Sequence, residues 1–179
     1  MSEPAELVAR LRATGRTVAC AESLTGGLLS AAIVDVPGAS DVFVGGVVAY
    51  ATELKRALVG VDAHLLEERG PVDPEVAEEL ADRIRAVCAV DGRPADLGLA
   101  TTGVAGPDPQ GGKPPGLAYI GVASPRGIRS VELRVQGDRP TVRLAAVERA
   151  LAEAAVELDA LDSGDALDAT DGLDAGDSG

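Results

Sequence analysis

Apolar residues recur along this chain at two different periods, and the alternation between them lays out the elements. Leu7, Val8 and Leu11 sit at helical spacing before Gly15, which predicts a helix over residues 3–14. The run Thr-Val-Ala-Cys-Ala at 17–21 predicts a short strand, and residues 26–33 a second helix closed by Pro37-Gly38. Residues 42–50 predict a second strand, weakened by Gly45-Gly46, and 52–58 a short helix with Thr52 as its capping residue. Asp73-Pro74-Glu75 is a strong helix start, a capping Asp followed by Pro at the first helical position. That helix runs to about residue 89, with Val76, Leu80, Ile84 and Val87 on one face. Residues 96–102 predict a third strand and 103–116 a long Gly/Pro loop. Residues 117–123 and 128–135 predict two strands joined by Ser124-Pro125-Arg126-Gly127. Residues 140–158 predict a last helix, with Val142, Leu144, Val147 and Leu151 as its apolar positions. Helices interleaved with apolar strands predict an α/β fold with a helix-covered sheet, and the terminal hairpin makes that sheet mixed.

The pattern stops at residue 158. From Asp159 an aspartate stands at every third position, 159, 162, 165, 168, 171, 174 and 177, with small residues filling most gaps. Period three fits neither a packed helix face nor a strand, so 159–179 is expected to be a disordered Asp-rich tail beside a domain at 1–158. The tail carries seven of the thirteen net negative charges. Such an acidic chain repels a phosphate backbone, so nucleic acid is not an expected partner. A small anionic ligand remains open, because a local basic cluster outweighs the global field at short range.

Aromatic residues make up only 2% of the chain, so the core must be built from Ala, Val, Leu and Ile. Cys20 and Cys88 form neither a CxxC pair nor a metal spacing and read as buried reduced thiols. No apolar run approaches the roughly 20 residues of a membrane span, and the N-terminus lacks the pattern of a secretory leader. A cytoplasmic protein with no membrane partner is expected. His64, the single histidine, lies in a polar stretch and reads as a surface residue. No metal site and no cofactor are expected.

Four segments carry candidate chemistry. Ala21-Glu22-Ser23-Leu24-Thr25-Gly26-Gly27 leaves a strand and opens a helix, where a hydroxyl sits beside helix N–H groups that suit an anion or a developing oxyanion. Tyr50-Ala51-Thr52-Glu53-Leu54-Lys55 leaves the second strand at the end where open α/β sheets place ligands. A partly desolvated lysine there can act as a base in place of histidine. Thr101-Thr102-Gly103-Val104-Ala105-Gly106-Pro107 offers hydroxyls and glycines on an exit loop. Gly137-Asp138-Arg139-Pro140-Thr141-Val142-Arg143 places two arginines at the start of the last helix. Each alone is equally a cap, a surface charge or a turn.

Together and in this order, with Lys113-Pro114-Pro115-Gly116 between the third and fourth, these segments resemble the CinA C-terminal domain family over about residues 5–158. Stand-alone members of that family include a nicotinamide-nucleotide amidase. The resemblance implies a three-layer α/β/α sandwich with a mixed sheet of about five strands. It implies deamidation of nicotinamide mononucleotide to nicotinate mononucleotide and ammonia, as part of pyridine-nucleotide recycling. By position Ser23 resembles the nucleophile, Lys55 its base and Tyr50 a supporting hydroxyl. Glu22, Thr25, Gly26, Gly27, Thr52, Thr102 and Gly103 are the implied substrate contacts, with Arg143 a candidate for a ligand or phosphate contact.

The chain departs from the family pattern at Ala51, at Thr52 where Asn is usual, at Leu24 where Cys is common and at Asp73 where Ser is usual. Losing the Asn removes a donor and an acceptor. A different small amide, or a non-catalytic nucleotide-binding or adaptor role, therefore stays open beside the amidase. The nucleotide-hydrolysing domain that many members carry is not in this sequence, so that activity is not expected. A homodimer is the expected assembly.

Overall fold

The computed structural model describes residues 3–171. Its first half is α1 (Glu3–Thr14), β1 (Val18–Glu22), α2 (Leu28–Val34), a 3-10 turn at Ala39–Asp41, β2 (Phe43–Val48), α3 (Thr52–Leu54) and α4 (Ala63–Arg69). The second half is α5 (Pro74–Val87), β3 (Leu97–Gly103), β4 (Leu117–Ser124), β5 (Gly127–Arg134) and α6 (Arg139–Asp171). α3 runs straight into a π-helical turn, Lys55–Val59. The five strands form one sheet in the order β2-β1-β3-β4-β5. β1 pairs parallel with both β2 and β3, while β3-β4 and β4-β5 are antiparallel. The expected mixed sheet of five strands is what forms.

Alternation along the strands assigns the two faces. Val18 and Cys20 of β1, Leu97 and Leu99 of β3, and Ile120 and Val122 of β4 face one way, into a core shared with α1, α2 and α6. Ala19, Ala21, Ala100 and Ala123 face the other way, under α5. Small residues on that second face let α5 lie close. A side chain at Gly98 would meet the Ala81 carbonyl oxygen, and one at Gly121 the Ala77 carbonyl oxygen, at 1.9 and 2.0 Å from the added carbon. Asp73 caps α5 as expected, accepting from the Glu75 N–H at 3.0 Å with Pro74 at the first helical position. Among the described residues no helix is long and apolar enough to cross a membrane.

The polar stretch around His64 forms α4, with His64 exposed on it; Asp62 caps this helix by accepting from the Leu65 N–H at 3.1 Å. Two local expectations change. Thr52 is the first residue of α3 rather than its cap, because the extended Ala51 accepts the first bond, from the Leu54 N–H. α6 also runs past the expected boundary at 158, through Asp171. The reason is tertiary. Leu161 is 7% exposed and belongs to the core, and Asp159 and Asp162 pair with Arg10 of α1 at 2.8 and 3.0 Å. Asp162 also pairs with Arg16. The remainder of the expected tail, 172–179, lies outside the described residues.

Candidate active site

All three parallel strands end at one place. β1 passes from Glu22 into Ser23, β2 into Tyr50 two residues past its end, and β3 into the loop after Gly103. The parallel ladder carries on past β1, with the Ser23 N–H donating to Thr101 at 2.9 Å and the Ala49 N–H to Glu22 at 2.9 Å. A cleft of about 160 Å³ opens beyond these strand ends, where an open α/β sheet binds its ligands. Ser23, Leu24, Tyr50, Thr52, Lys55, Thr102, Gly103 and Arg139 line it, together with residues 71–72, 104–108 and Gln110.

Lys55 sits at the floor. It opens the π-helical turn, and its side chain is 1% exposed. Such wide turns recur where a functional side chain must be aimed. The ammonium donates to Ser23 Oγ at 3.0 Å, to the Ala49 carbonyl at 2.8 Å and to the Tyr50 carbonyl at 3.4 Å. Among the described residues no carboxylate pairs with it. Burial therefore dominates and lowers its pKa to about 8, with the charge of Glu53 pulling weakly the other way. Ser23 is itself 9% exposed, so the hydroxyl and the amine meet in a largely dry corner.

Tyr50 stands at the rim, mostly exposed, and its phenol oxygen accepts from Arg139 Nη2 at 2.6 Å. Arg139 also donates to the Gly106 carbonyl at 2.9 Å, so it bridges two walls of the cleft. Arginine has no acceptor. The Tyr50 hydroxyl proton is therefore left free to point at a ligand. Thr102 donates to the Pro71 carbonyl at 2.5 Å and ties the loop before α5 to the cleft wall.

The sequence model of the CinA C-terminal domain family matches residues 2–158. This chain belongs to that family. It is 49% identical over 135 residues to a CinA-like protein from Frankia casuarinae, covering 75% of this chain and 30% of that protein. It is 45% identical over 145 residues to a putative competence-damage inducible protein from Caldanaerobacter subterraneus, covering 79% of this chain and 34% of that one. The chain thus spans about a third of the length of these curated relatives. A crystal structure of a CinA superfamily protein from Klebsiella pneumoniae superposes with a TM-score of 0.82 at 28% identity, over 88% of this chain and 96% of that one. The competence/damage inducible protein CihA from Agrobacterium tumefaciens gives a TM-score of 0.77 at 31% identity, over 89% and 97%.

Within this CinA-family site the structure separates cleft residues from supporting ones. It brings Ser23, Lys55, Tyr50, Thr52, Thr102 and Gly103 together. Glu22, Thr25, Gly26, Gly27 and Arg143, expected as ligand contacts, are not among the residues that line the cleft. Glu22 is buried, and its two carboxylate oxygens accept from the N–H groups of Gly27, Leu29 and Ser30 and from the hydroxyls of Thr25 and Ser30. The start of α2 is thereby occupied by the protein's own carboxylate and is closed to an oxyanion. Thr25 is fully buried and bonded to Thr101 at 2.7 Å. Since Thr25 donates to Glu22, the Thr101 hydroxyl must donate to Thr25. Gly26 and Gly27 take φ of +61° and +98°, which the turn requires. Arg143 donates to the carbonyls of Leu24 and Thr25 at 2.9 and 2.6 Å and clamps the same turn from outside.

Of the two arginines in the Gly137–Arg143 segment, Arg139 lines the cleft and Arg143 does not. Arg139 and Arg143 are four apart, one helical turn, and the first lies nearer the strand ends.

Proposed function

We propose that this CinA-family domain is an amidohydrolase that deamidates nicotinamide mononucleotide to nicotinate mononucleotide and ammonia. The observation that carries the reading is Lys55: buried, without a carboxylate partner, 3.0 Å from Ser23 Oγ and holding its proton only weakly. An amine lowered to about 8 is neutral in a useful fraction of molecules near neutral pH and can accept a hydroxyl proton.

In the proposed reaction Ser23 Oγ attacks the carboxamide carbon while Lys55 Nζ takes its proton. The same proton then passes to the departing nitrogen, the C–N bond breaks and ammonia leaves. Water attacks the acyl-serine with Lys55 again the base, and the acid departs. Tyr50, held as an acceptor by Arg139, donates its own proton toward the substrate. The oxyanion needs donors other than the start of α2. The Leu24 N–H, next to the nucleophile, makes no hydrogen bond within the described residues and is the donor we assign. The arginine expected to meet the substrate moves from Arg143 to Arg139.

Ammonia release from nicotinamide mononucleotide, comparing the wild type with Ser23→Ala and Lys55→Ala, tests the reading. Turnover by the wild type and a loss of about 1000-fold or more in both variants is the expected result. A wild type that binds the nucleotide without releasing ammonia would favour the non-catalytic nucleotide-binding role.

A further inference from the structure

The cleft does not end at Gln110. Thr52, Pro71, Val72 and Gln110 line it and also line a second chamber of about 270 Å³, whose remaining walls include Arg69 and Lys113. The two spaces share four wall residues and so adjoin.

Lys113 is held there by a tight turn. The Gln110 and Lys113 N–H groups each donate to the other's carbonyl, at 3.1 and 2.9 Å, and Gly111 and Gly112 between them take φ of +56° and +74°. The lysine is half-buried, yet among the described residues its ammonium meets neither a carboxylate nor a hydrogen-bond acceptor. In a chain of net charge −13 an acidic neighbour would be easy to supply. The other cation, Arg69, pairs with Glu75 at 3.0 Å through one of its terminal nitrogens, which leaves further donors. Arg139, by contrast, donates to Gly106 and Tyr50 and lines the cleft but not this chamber.

We propose that this chamber is the subsite for a substrate phosphate, with Lys113 as its anchor and Arg69 as a second cation. The proposal rests on a nucleotide reaching Ser23 and adds what that nucleotide must carry. The ligand chemistry is a phosphate or pyrophosphate oxygen. It comes either from a pyridine mononucleotide or from the second phosphate of a pyridine dinucleotide. Lys113 then sets specificity for phosphorylated over unphosphorylated amides.

The test is calorimetric titration of the full chain and its Lys113→Met and Lys113→Arg variants with nicotinamide riboside, nicotinamide mononucleotide and nicotinamide adenine dinucleotide. Lys113→Met is expected to weaken mononucleotide binding about tenfold while leaving the riboside unchanged, and Lys113→Arg to restore most of the loss. A loss confined to the dinucleotide also supports the subsite and assigns it to the second phosphate. An equal effect on the riboside, no effect on either nucleotide, or no binding of any of the three overturns it. Failure of the amidase reading is seen separately, as wild type that releases no ammonia, because the titration needs no turnover.

Discussion

A lysine with almost no solvent contact and no acidic partner makes two measurable statements about pH. If Lys55 is the base, kcat/KM rises as pH climbs toward about 8 and then levels, since the neutral amine is the active form. Stability follows the same group. Between about 8 and the ordinary 10.5 the unfolded chain binds a proton that the folded one has released, so folding is favoured more as pH rises. Below that window both states hold the proton and the folded state bears the full desolvation penalty. Urea unfolding of the wild type and Lys55→Met at pH 7.5 and pH 10 checks this. The wild type is expected to gain on the variant at the higher pH, and a constant gap would mean Lys55 titrates like an exposed lysine. Glu22 has the opposite character, a carboxylate satisfied on both oxygens. Glu22→Gln turns one acceptor into a donor facing N–H groups, and a loss of about 2–4 kcal/mol in the same unfolding assay is expected. A neutral outcome would show that the turn does not depend on this charge.

Two elements behave as wholes. α5 lies against a strip of Ala and Gly, so its backbone carbonyls sit where side chains would otherwise stand, and the sheet tolerates no added carbon at Gly98 or Gly121. α6 joins the cleft to the far end of α1. Removing residues 159–179 would strip Leu161 from the core and leave Arg10 and Arg16 without Asp162. Burial of one leucine and a partly exposed ion-pair cluster together stabilise by about 2–3 kcal/mol. The truncated chain should therefore melt about 5–9 °C lower. An unchanged melting temperature would restore the reading of a tail independent of the domain. The Asp162 carboxyl, held below the usual carboxylate range by its hydrogen bonds from Arg16 and Arg10, contributes above its ordinary pKa and loses that contribution as pH falls through the lowered one.

At the scale of the molecule, α6 separates two electrostatic regions. Its first residue, Arg139, is in the cleft wall, and the first aspartate of the acidic series is twenty residues further on. At 1.5 Å per residue that is about 30 Å, more than three Debye lengths at physiological salt. The same truncation is therefore expected to leave KM for an anionic nucleotide within about twofold at 0.15 M salt, measured well below the lowered melting temperature. A large change in KM would mean that the acidic segment reaches the cleft.

Much of this was legible in the chain itself. Leu7, Val8 and Leu11 at helical spacing, the Asp73-Pro74 start and the apolar runs at 17–21 and 96–102 are local signals, set by side-chain period and backbone preference, and each element formed within a residue or two. The hydroxyl at the end of β1, the lysine after β2 and the threonine at the end of β3 followed from where strands stop, and the folded chain brings them to one cleft. Tertiary structure alone decided what each neighbour does. Glu22 became a cap rather than a contact because three N–H groups converge on it only when α2 packs back over β1. Arg139 rather than Arg143 lines the cleft because packing sets the first turn of α6 against the strand ends, and Arg143 stands one turn further along the same face. The helix ran past 158 because Arg10, Arg16 and the core accept Asp162 and Leu161, partners some 150 residues away in sequence that no local period can announce.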